Sequence, residues 1–336
     1  MSKYLFYPGC SLQRSARPYL DSLVAIQPDI DMDLEEVDDW NCCGATEYGA
    51  VYAVARHALV ARNLARAKRQ ANGAPPLVVA PCSACYLNLN KTDHVLRTDK
   101  RMAAFVNDAL QAGGLHYDPG SVASRHLLDV IYNDVGLDAI RSRVTNPLKG
   151  LRVAPYYGCM IVRPDVDGRF SSSEYPMELD NLLEALGATV IDFPLKSHCC
   201  GGHMTQISPP VAYEMIRRLV SGADHYRADV MVTLCPMCQL NLDAYQGDMN
   251  NHYKTDYHMP VLYFTQLMGL AFGHDPAELG LGKEFVSARD ALARIGVELP
   301  EEEAAPPKAA ARRKDDPSLP MPKPLDGGQK SEEKGS

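Results

Sequence analysis

The chain has 336 residues, of which 46% are hydrophobic and 23% are charged, and its formal net charge at pH 7 is −8. This length and composition are typical of a globular protein with two domains, and the acidic charge argues against nucleic acid as the main partner. The N-terminus lacks the apolar core of a signal peptide, and no run reaches the roughly 20 apolar residues of a transmembrane helix. We therefore expect a cytoplasmic protein, where paired cysteines serve metal or redox chemistry more often than disulfides.

The first half of the chain alternates predicted strands with predicted helices. Apolar runs predict strands over 3–8, 31–37 and 77–80. Helical spacing predicts helices over 13–26, 49–70, 100–112, 122–135 and 137–143, and a further helix that follows Pro81 and runs through Leu87 and Leu89. Strands that alternate with helices indicate a parallel sheet that is covered on both faces.

The second half repeats this plan after a boundary at 146–150. Strands are predicted over 151–156, 189–193 and 230–234, and helices over 176–186 and 211–223, from Cys235 onward, and as two or three short helices within 260–295. We predict an α/β fold of two similar parallel-sheet domains, 1–146 and 147–298, which arose by internal duplication and are related by a pseudo-twofold axis.

The last part of the chain, 299–336, differs in character. Seven prolines fall within 300–336, among mixed charges and few large apolar side chains. Such a segment buries too little apolar surface to offset its ordering entropy, so we predict that it is disordered. A solubilising tail is the favoured interpretation, and docking of a partner is the alternative.

The ten cysteines form one pattern that occurs twice. Each copy has a lone cysteine, then Cys-Cys-Gly, then Cys-x-x-Cys-x-Leu-Asn-Leu after an apolar run. The first copy consists of Cys10, Cys42, Cys43, Cys82 and Cys85, and the second of Cys159, Cys199, Cys200, Cys235 and Cys238. All follow predicted strands, and ligands of parallel sheets bind beyond the carboxyl ends of the strands. The duplication therefore predicts one metal site in each half, both facing the domain interface.

Four interpretations of each five-cysteine set compete. Disulfides are disfavoured without a secretion signal, and buried structural thiols would not recur in register. A structural zinc site usually takes four ligands from two Cys-x-x-Cys knuckles, whereas adjacent cysteines such as Cys42 and Cys43 suit a cluster with several irons better. Iron–sulfur ligation is favoured, because a helix N-terminus at the Cys-x-x-Cys also attracts an anionic cluster.

The duplicated pattern resembles the B subunit of heterodisulfide reductase and its relatives, the cysteine-rich proteins named for the Cys-Cys-Gly motif, over about residues 1–270. The resemblance implies that each five-cysteine set holds a non-cubane [4Fe–4S] cluster, with zinc as the alternative in the second site. It also implies an oxidoreductase that acts on a sulfur group and binds a disulfide, a thiol or sulfane sulfur between the clusters. Electrons would be exchanged with the C subunit of such a complex, which carries cubane clusters and is itself served by the flavin-containing A subunit. Similar complexes occur in sulfur-oxidising bacteria.

Some relatives of this family act in succinate, lactate or glycolate oxidation without known disulfide chemistry. The competing function is therefore an electron-relay subunit of a membrane-linked dehydrogenase. Many of those relatives carry ferredoxin-type cysteine segments, which this sequence lacks, and this favours a separate cubane-bearing partner.

Three histidines lie near the cysteine motifs. His198 and His203 flank the second Cys-Cys pair, so either is a candidate catalytic proton donor to a departing thiol. The alternative for both is an ordinary packed or surface histidine. His57, in the helix after the first pair, is interpreted as a packed residue. Trp40 is interpreted as a core residue beside the first site.

Overall fold

The computed structural model of the protein describes residues 2–45, 48–166 and 168–300, and these form one compact unit that ends at Pro300. The predicted disordered tail lies outside the described residues except for Leu299 and Pro300, and Leu299 is buried. The domain boundaries at 146 and 298 remain predictions. No helix in the described ranges is both long enough and apolar enough to cross a membrane.

Two sheets of four parallel strands form the framework. Their strands are β1 (Ser2–Phe6), β2 (Met32–Glu36), β3 (Leu77–Ala80), β4 (Ala123–His126), β5 (Arg152–Tyr156), β6 (Thr189–Val190), β7 (Val230–Thr233) and β8 (Val261–Tyr263). The first sheet has the order β2-β1-β3-β4 and the second has the order β6-β5-β7-β8. All pairs within both sheets are parallel. The orders correspond strand by strand, so the predicted α/β fold with a duplicated parallel sheet is confirmed.

Helices connect the strands of both sheets. Those of the first half are α1 (Gly9–Leu12), α2 (Arg17–Ile26), α3 (Tyr48–Val51), α4 (Ala53–Gln70), α5 (Ser83–Thr98), α6 (Lys100–Gln111), α7 (Leu127–Val130), which continues as a π-helical turn over Ile131–Val135, and α8 (Leu137–Arg143). Those of the second half are α9 (Glu178–Ala185), α10 (Met204–Ile207), α11 (Pro209–His225), α12 (Pro236–Ala244), α13 (Gln246–Tyr253), α14 (Phe264–Phe272) and α15 (Arg289–Ala293).

The structure corrects several predicted elements. The helix predicted over 122–135 begins with strand β4, and strand β8 lies within the region predicted as short helices. Both are short strands at a sheet edge. The sequence of β4, Ala-Ser-Arg-His, is polar, as an edge strand tolerates, whereas β8, Val-Leu-Tyr, runs directly into the apolar helix α14 and is not set apart from it in the sequence. The helix over 49–70 is broken at Tyr52, whose backbone leaves the helical region. Strand β6 has two residues instead of five, and Cys10 lies on a one-turn helix instead of a loop.

The two halves meet along α2 and α14. The Tyr19 ring stacks on Tyr263 with a centroid distance of 4.4 Å, and the buried hydroxyls of Ser22 and Thr265 lie 2.7 Å apart. The Tyr19 hydroxyl also donates to the carbonyl oxygens of Pro81 (3.1 Å) and Leu234 (3.4 Å), one from each half. We call the contact formed by Tyr19, Pro81, Cys82, Leu234 and Cys235 the seam. It brings the two Cys-x-x-Cys motifs together.

Candidate metal centres

The five cysteines of the first half lie at the carboxyl ends of three neighbouring strands. Cys10 follows β1 and lies on α1, the Cys42–Cys43 pair follows β2, and Cys82 precedes α5, which contains Cys85. The second half repeats this placement after β5, β6 and β7 with Cys159, Cys199, Cys200, Cys235 and Cys238. All ten cysteines are within the described ranges and are free thiols. The predicted placement beyond the strand ends is thus found in both halves.

The thiols follow one another in a continuous row. The Sγ atoms of Cys10 and Cys42 are 3.7 Å apart, and those of Cys200 and Cys238 are 3.5 Å apart. Neighbouring thiols also shift one another's pKa values, and these influences follow the order Cys10, Cys42, Cys43, Cys85, Cys82, Cys235, Cys238, Cys200, Cys199 and Cys159. The central step, from Cys82 to Cys235, crosses the seam. The two sets are therefore adjacent, and their order is reversed on either side of this contact.

A glycine before each lone cysteine lies against the far end of the same set. A Cβ atom on Gly9 would lie 2.8 Å from the Cys85 Sγ, and one on Gly158 would lie 2.9 Å from the Cys238 Sγ. Both glycines also have positive φ, +73° and +70°, which side chains with a Cβ rarely adopt. The sequence therefore keeps the backbone close to the thiols in both halves.

Two pairs of equivalent side chains hold the Cys-Cys-Gly loops in place. Asn88 on α5 donates to the Cys43 carbonyl at 3.1 Å, and Asn241 on α12 donates to the carbonyls of Cys200 (3.2 Å) and Gly202 (2.8 Å). Their amide nitrogens also lie 3.8 and 3.7 Å from the Sγ atoms of Cys43 and Cys200. The hydroxyl groups of Tyr7 and Tyr156 donate to the backbone oxygens of Asn41 (2.6 Å) and His198 (2.7 Å).

Three thiols of the row have lowered pKa values and the other seven have raised ones. The pKa values of Cys42 and Cys199 are lowered chiefly by the neighbouring thiols of Cys10 and Cys159. The pKa of Cys235 is lowered because Cys238 and then Cys82 donate to it. The donating thiols have raised pKa values from these hydrogen bonds and from burial. Each half thus contains thiols that ionise readily, and the thiolate is the form that binds metal.

The donor set fits an iron–sulfur cluster. Among the described residues, no three histidine, cysteine or carboxylate side chains have the geometry of a site for one metal ion, so the fit rests on the chemistry of the donors. Five neighbouring thiols lie together in each half, and glycine keeps the backbone close to them. The N-termini of α5 and α12 lie directly after Cys82 and Cys235, where free backbone amides favour an anionic group.

The two sites differ in their surroundings. A cavity of about 720 Å³ borders the second site, with His198 and Cys199 on one side and α11 on the other. The corresponding face of the first half is bridged by Arg62 and Asn63 on α4, which hydrogen-bond to the 39–41 loop. The second site is therefore accessible through a cavity next to one of its thiols.

A buried ion pair lies beneath the loop of the second site. Lys196 has no exposed surface and contacts Asp180 at 2.9 Å, and its ammonium lies 3.8 Å from the Tyr175 ring centroid. The Tyr157 hydroxyl donates to the same carboxylate at 2.7 Å, and the Lys196 carbonyl accepts from the amides of Tyr157 and Gly158. This cluster connects the start of the Cys-Cys-Gly loop to the end of β5.

The two histidines predicted as proton donors, His198 and His203, differ in exposure and in position. His198 is exposed and borders the cavity beside Cys199, whereas His203 is half-buried and precedes α10. Their catalytic roles remain predictions. His57 is buried and its Nδ1 lies 2.9 Å from the Thr92 hydroxyl, as expected for a packed residue. Trp40 packs edge-on against Tyr7 and donates to Glu36.

Several residues of the sites were not predicted from the sequence. Asn88 and Asn241 occupy the same position of the repeated motif. Asparagine is intrinsically unfavourable within a helix, so its recurrence at this position could have indicated a role for both side chains. Tyr7 and Tyr156 likewise occupy equivalent positions of the motif: Tyr7 directly follows β1, and Tyr156 is the last residue of β5. Tyr19 gave no signal, because its importance comes from contacts across the seam.

Comparisons with known proteins agree with this class of duplicated, cysteine-rich α/β protein. The family model described as a cysteine-rich domain, CCG, matches residues 4–90 and again 153–243. The 8-methylmenaquinol:fumarate reductase membrane anchor subunit of Wolinella succinogenes is 35% identical over 85% of this chain and 98% of its own length. The B subunit of the ferredoxin:CoB-CoM heterodisulfide reductase of Methanosarcina mazei is 32% identical over 71% of this chain and 78% of its own.

The corresponding B subunit of a ferredoxin/F(420)H(2)-dependent CoB-CoM heterodisulfide reductase from Methanosarcina acetivorans is 29% identical, covering 88% of this chain and 97% of the relative. A hypothetical protein from Helicobacter pylori has a similar fold, with a TM-score of 0.65 and 13% identity over 85% of this chain and 52% of that chain. The chain belongs to the CCG cysteine-rich domain family that includes the B subunits of heterodisulfide reductases. The resemblance inferred from the cysteine pattern is confirmed.

Proposed function

We propose that the protein is the iron–sulfur catalytic subunit of a heterodisulfide-reductase-like complex. The ten cysteines would hold two non-cubane [4Fe–4S] clusters, five thiolates to each. When bound, the clusters would supply iron sites for sulfur and accept or donate single electrons. The substrate would be a disulfide, a thiol or sulfane sulfur. Electrons would be exchanged with a cubane-bearing C subunit, itself served by a flavin-containing A subunit. We further propose a cytoplasmic location.

The proximity of Cys82 and Cys235, each of which shifts the pKa of the other across the seam, is the observation that carries this proposal. Cleaving a disulfide into two thiols takes two electrons and two protons and leaves two sulfurs to stabilise. Two equivalent thiolate sites that adjoin at one seam provide one site for each sulfur. Duplication then has a chemical use, which a linear electron relay does not require.

The remaining residues of the second site would bind substrate and supply protons. The cavity beside Cys199 is large enough for a small thiol or disulfide. His198 borders this cavity, so its imidazole is the better placed of the two candidate proton donors. His203 is the second candidate, next to the loop that Asn241 holds in place.

An electron-relay function is the second candidate. The relative from Wolinella succinogenes is named as a membrane anchor subunit of a fumarate reductase, and it matches this chain over nearly its whole length. In that case both clusters would pass single electrons between partner subunits, and neither would bind a sulfur substrate.

Metal analysis and spectroscopy of protein prepared without oxygen would test the proposal. We expect roughly eight irons and little zinc per chain, and a change in the cluster spectrum when a thiol is added under oxidising conditions. The matched control is the alcohol analogue of the same thiol, which should cause no change. Full iron with an identical spectrum in thiol and alcohol would support the relay. Four irons with one tightly bound zinc would rule out the two-cluster mechanism.

A further inference from the structure

Arg56 on α4 is held beside the first site. Its Nη2 atom donates to the Asn88 Oδ1 at 2.7 Å. The Nδ2 atom of the same amide donates to the Cys43 carbonyl at 3.1 Å and lies 3.8 Å from the Cys43 Sγ. The guanidinium also lies against the backbone of Gly49, where an added Cβ atom would be 2.8 Å from Nε and 2.9 Å from Nη1. One amide side chain therefore separates this cation from a thiol of the first site.

The charge of Arg56 is not balanced by a carboxylate among the described residues. Arg62 and Arg66 on the same helix both pair with Asp39, at 2.6 and 2.9 Å. Arg56 instead hydrogen-bonds to the neutral amide of Asn88, and its Nε is shielded from solvent without a hydrogen-bond partner in the same ranges. Buried donors are nearly always paired, and a cation withdrawn from water without a counter-charge is costly. A negative group beside Asn88 would offset both costs.

A cluster bound by the first site would be that negative group. Five thiolates leave an iron–sulfur cluster with a net negative charge, and nearby charges and hydrogen bonds to its sulfurs set its reduction potential. The Cys43 Sγ is the ligand sulfur that the Asn88 amide approaches. Because the oxygen of this amide accepts from a guanidinium, the amide is polarised and its N–H becomes a stronger donor.

We propose that Arg56 is a positioning residue of the first site, which acts through Asn88 to place positive charge and a strengthened N–H donor beside the Cys43 thiolate of a bound cluster. The inference rests on the proposed function only in requiring a cluster in the first half. Positive charge stabilises the more negative, reduced state, so Arg56 raises the reduction potential of the first cluster.

The second site has the equivalent amide without the equivalent cation. Asn241 lies 3.7 Å from the Cys200 Sγ, as Asn88 lies near its own thiol. Counted from the second cysteine of each Cys-Cys pair, however, the position of Arg56 is occupied on α11 by Tyr213. The amide of the second site therefore lacks the guanidinium that polarises the first.

Three arginines near the second site each have a carboxylate partner. Arg163, which hydrogen-bonds to the loop before the Cys-Cys pair, is paired with Glu174 at 3.1 Å. Arg217 and Arg218, which line the cavity, are both paired with Glu214, at 2.9 and 2.8 Å. The two clusters are therefore expected to differ in potential although their ligand sets are alike.

Substitutions at Arg56 separate its charge from its packing. Arg56→Lys keeps the charge, whereas Arg56→Gln removes it and retains a hydrogen-bond donor. Arg69→Gln removes an exposed charge from the last turn of the same helix and is the matched control. The measurement is a redox titration of the full iron-loaded chain, followed by electron paramagnetic resonance, with the iron content of each protein.

For Arg56→Gln we expect the ratio of reduced to oxidised first cluster at a fixed potential to fall about tenfold, which corresponds to about 59 mV for one electron. The other cluster should be unaffected, and Arg56→Lys and Arg69→Gln should titrate like the wild type. Unchanged potentials in an iron-loaded Arg56→Gln variant would overturn the inference.

Iron content decides the matter if Arg56→Gln fails to retain the first cluster. Full iron in Arg56→Lys would then assign the loss to the missing charge and support the inference, whereas loss of iron from both variants would overturn it in favour of packing. A different result would refute the proposed function: if Cys42→Ala did not lower the iron content of the wild type, the first half would hold no cluster.

Discussion

The thiols of Cys82 and Cys235 lie close enough across the seam for each to shift the pKa of the other, although they belong to different halves of the duplicated chain. Each directly precedes the helix of its own Cys-x-x-Cys motif, and each follows a carbonyl that the Tyr19 hydroxyl engages. One tyrosine thus aligns the two motifs. The two five-cysteine sets are therefore neighbours, as the proposed two-sided mechanism requires.

Removing either thiol of this contact tests the two-sided mechanism. Cys82→Ala and Cys235→Ala should each abolish disulfide turnover, because each leaves one of the two sulfurs without a site. Iron content should fall to roughly four per chain, since the untouched half keeps its own five ligands. The assay uses an artificial electron donor, so that partner subunits are not limiting. Thr98→Ala, at the far end of α5, is the control and should retain iron and turnover. Substantial turnover in a variant that has lost one cluster would exclude the mechanism.

The glycines before the lone cysteines can be tested in a matched set. Gly9→Ala and Gly158→Ala each place a Cβ atom within 3 Å of a thiol and also strain the backbone. Gly73→Ala introduces similar backbone strain at φ +92° but has no atom within 4 Å, so it is the control for strain alone, at about 1–3 kcal/mol. We expect loss of iron from the affected half only for the first two. Equal iron content in all three variants would show that the close approach to sulfur is unimportant.

Much of the fold could be predicted from the sequence, because the two copies of the cysteine pattern could be compared with each other. The cysteine pattern identified both sites, and the apolar runs located β3 and β7 within one residue of their observed ends. The edge strands β4 and β8 were missed, because β4 is polar and β8 is continuous with the apolar sequence of α14, so neither stands out as a separate apolar run. The seam could not be predicted either, since the contacts of Tyr19 with Pro81 and Leu234 are between distant segments and leave no local pattern.

The buried face of α4 also could not be predicted from the sequence. Val51 and Leu59 have the spacing of a buried stripe, yet Val51 is 68% exposed and Leu59 is 43% exposed. The buried face instead carries His57, Val60 and Leu64. Val51 belongs to α3, before the break at Tyr52, and therefore does not continue the face of α4. For Leu59, which lies within α4, the spacing of apolar residues indicates a helix, and only the tertiary structure fixes which of its faces points inward.

The asparagines of the repeated motif should determine how firmly the Cys-Cys-Gly loops are held. Asn241→Ala leaves the buried carbonyls of Cys200 and Gly202 without their donor, and Asn88→Ala does the same to Cys43. An unsatisfied buried polar group costs about 1–3 kcal/mol. We expect faster iron loss to a chelator from the altered half, with the larger effect for Asn241. Identical release rates in wild type and both variants would contradict this role.

The buried ion pair beneath the second site predicts a large effect on stability. Lys196→Met leaves the Asp180 carboxylate buried without its cation, and breaking such a pair typically costs about 3–5 kcal/mol. The double variant Lys196→Met/Asp180→Asn removes both charges and retains an oxygen that accepts from Tyr157, so it should recover most of the loss. Urea unfolding of the wild type, the single variant and the double variant measures the differences in the free energy of unfolding. A single variant as stable as the wild type would show that the pair contributes nothing.

His57 makes the stability of the first half depend on pH. Burial lowers its pKa from the ordinary value of 6.5, and the charges of Arg56 and Lys91 lower it further. As the pH falls through about 6.5, the unfolded chain takes up a proton that the folded chain does not. The unfolded state then binds more protons, so the free energy of unfolding decreases as the pH falls. The decrease is at most about 1.4 kcal/mol per pH unit, the limit for a single group.

His57→Asn removes this titration and keeps a polar atom near Nδ1 for the Thr92 hydroxyl, to which the ring is bonded at 2.9 Å. The measurement is urea unfolding of wild type and variant at about pH 8 and about pH 5.5, in the same iron-loaded state, with stability compared as the difference between the two proteins at each pH. At the higher pH the two should be similar, because His57 is neutral in both states of the wild type. At the lower pH the variant should be relatively more stable, since its unfolded chain gains no proton at this position. A constant difference at both pH values would show that His57 titrates alike in the folded and unfolded chain.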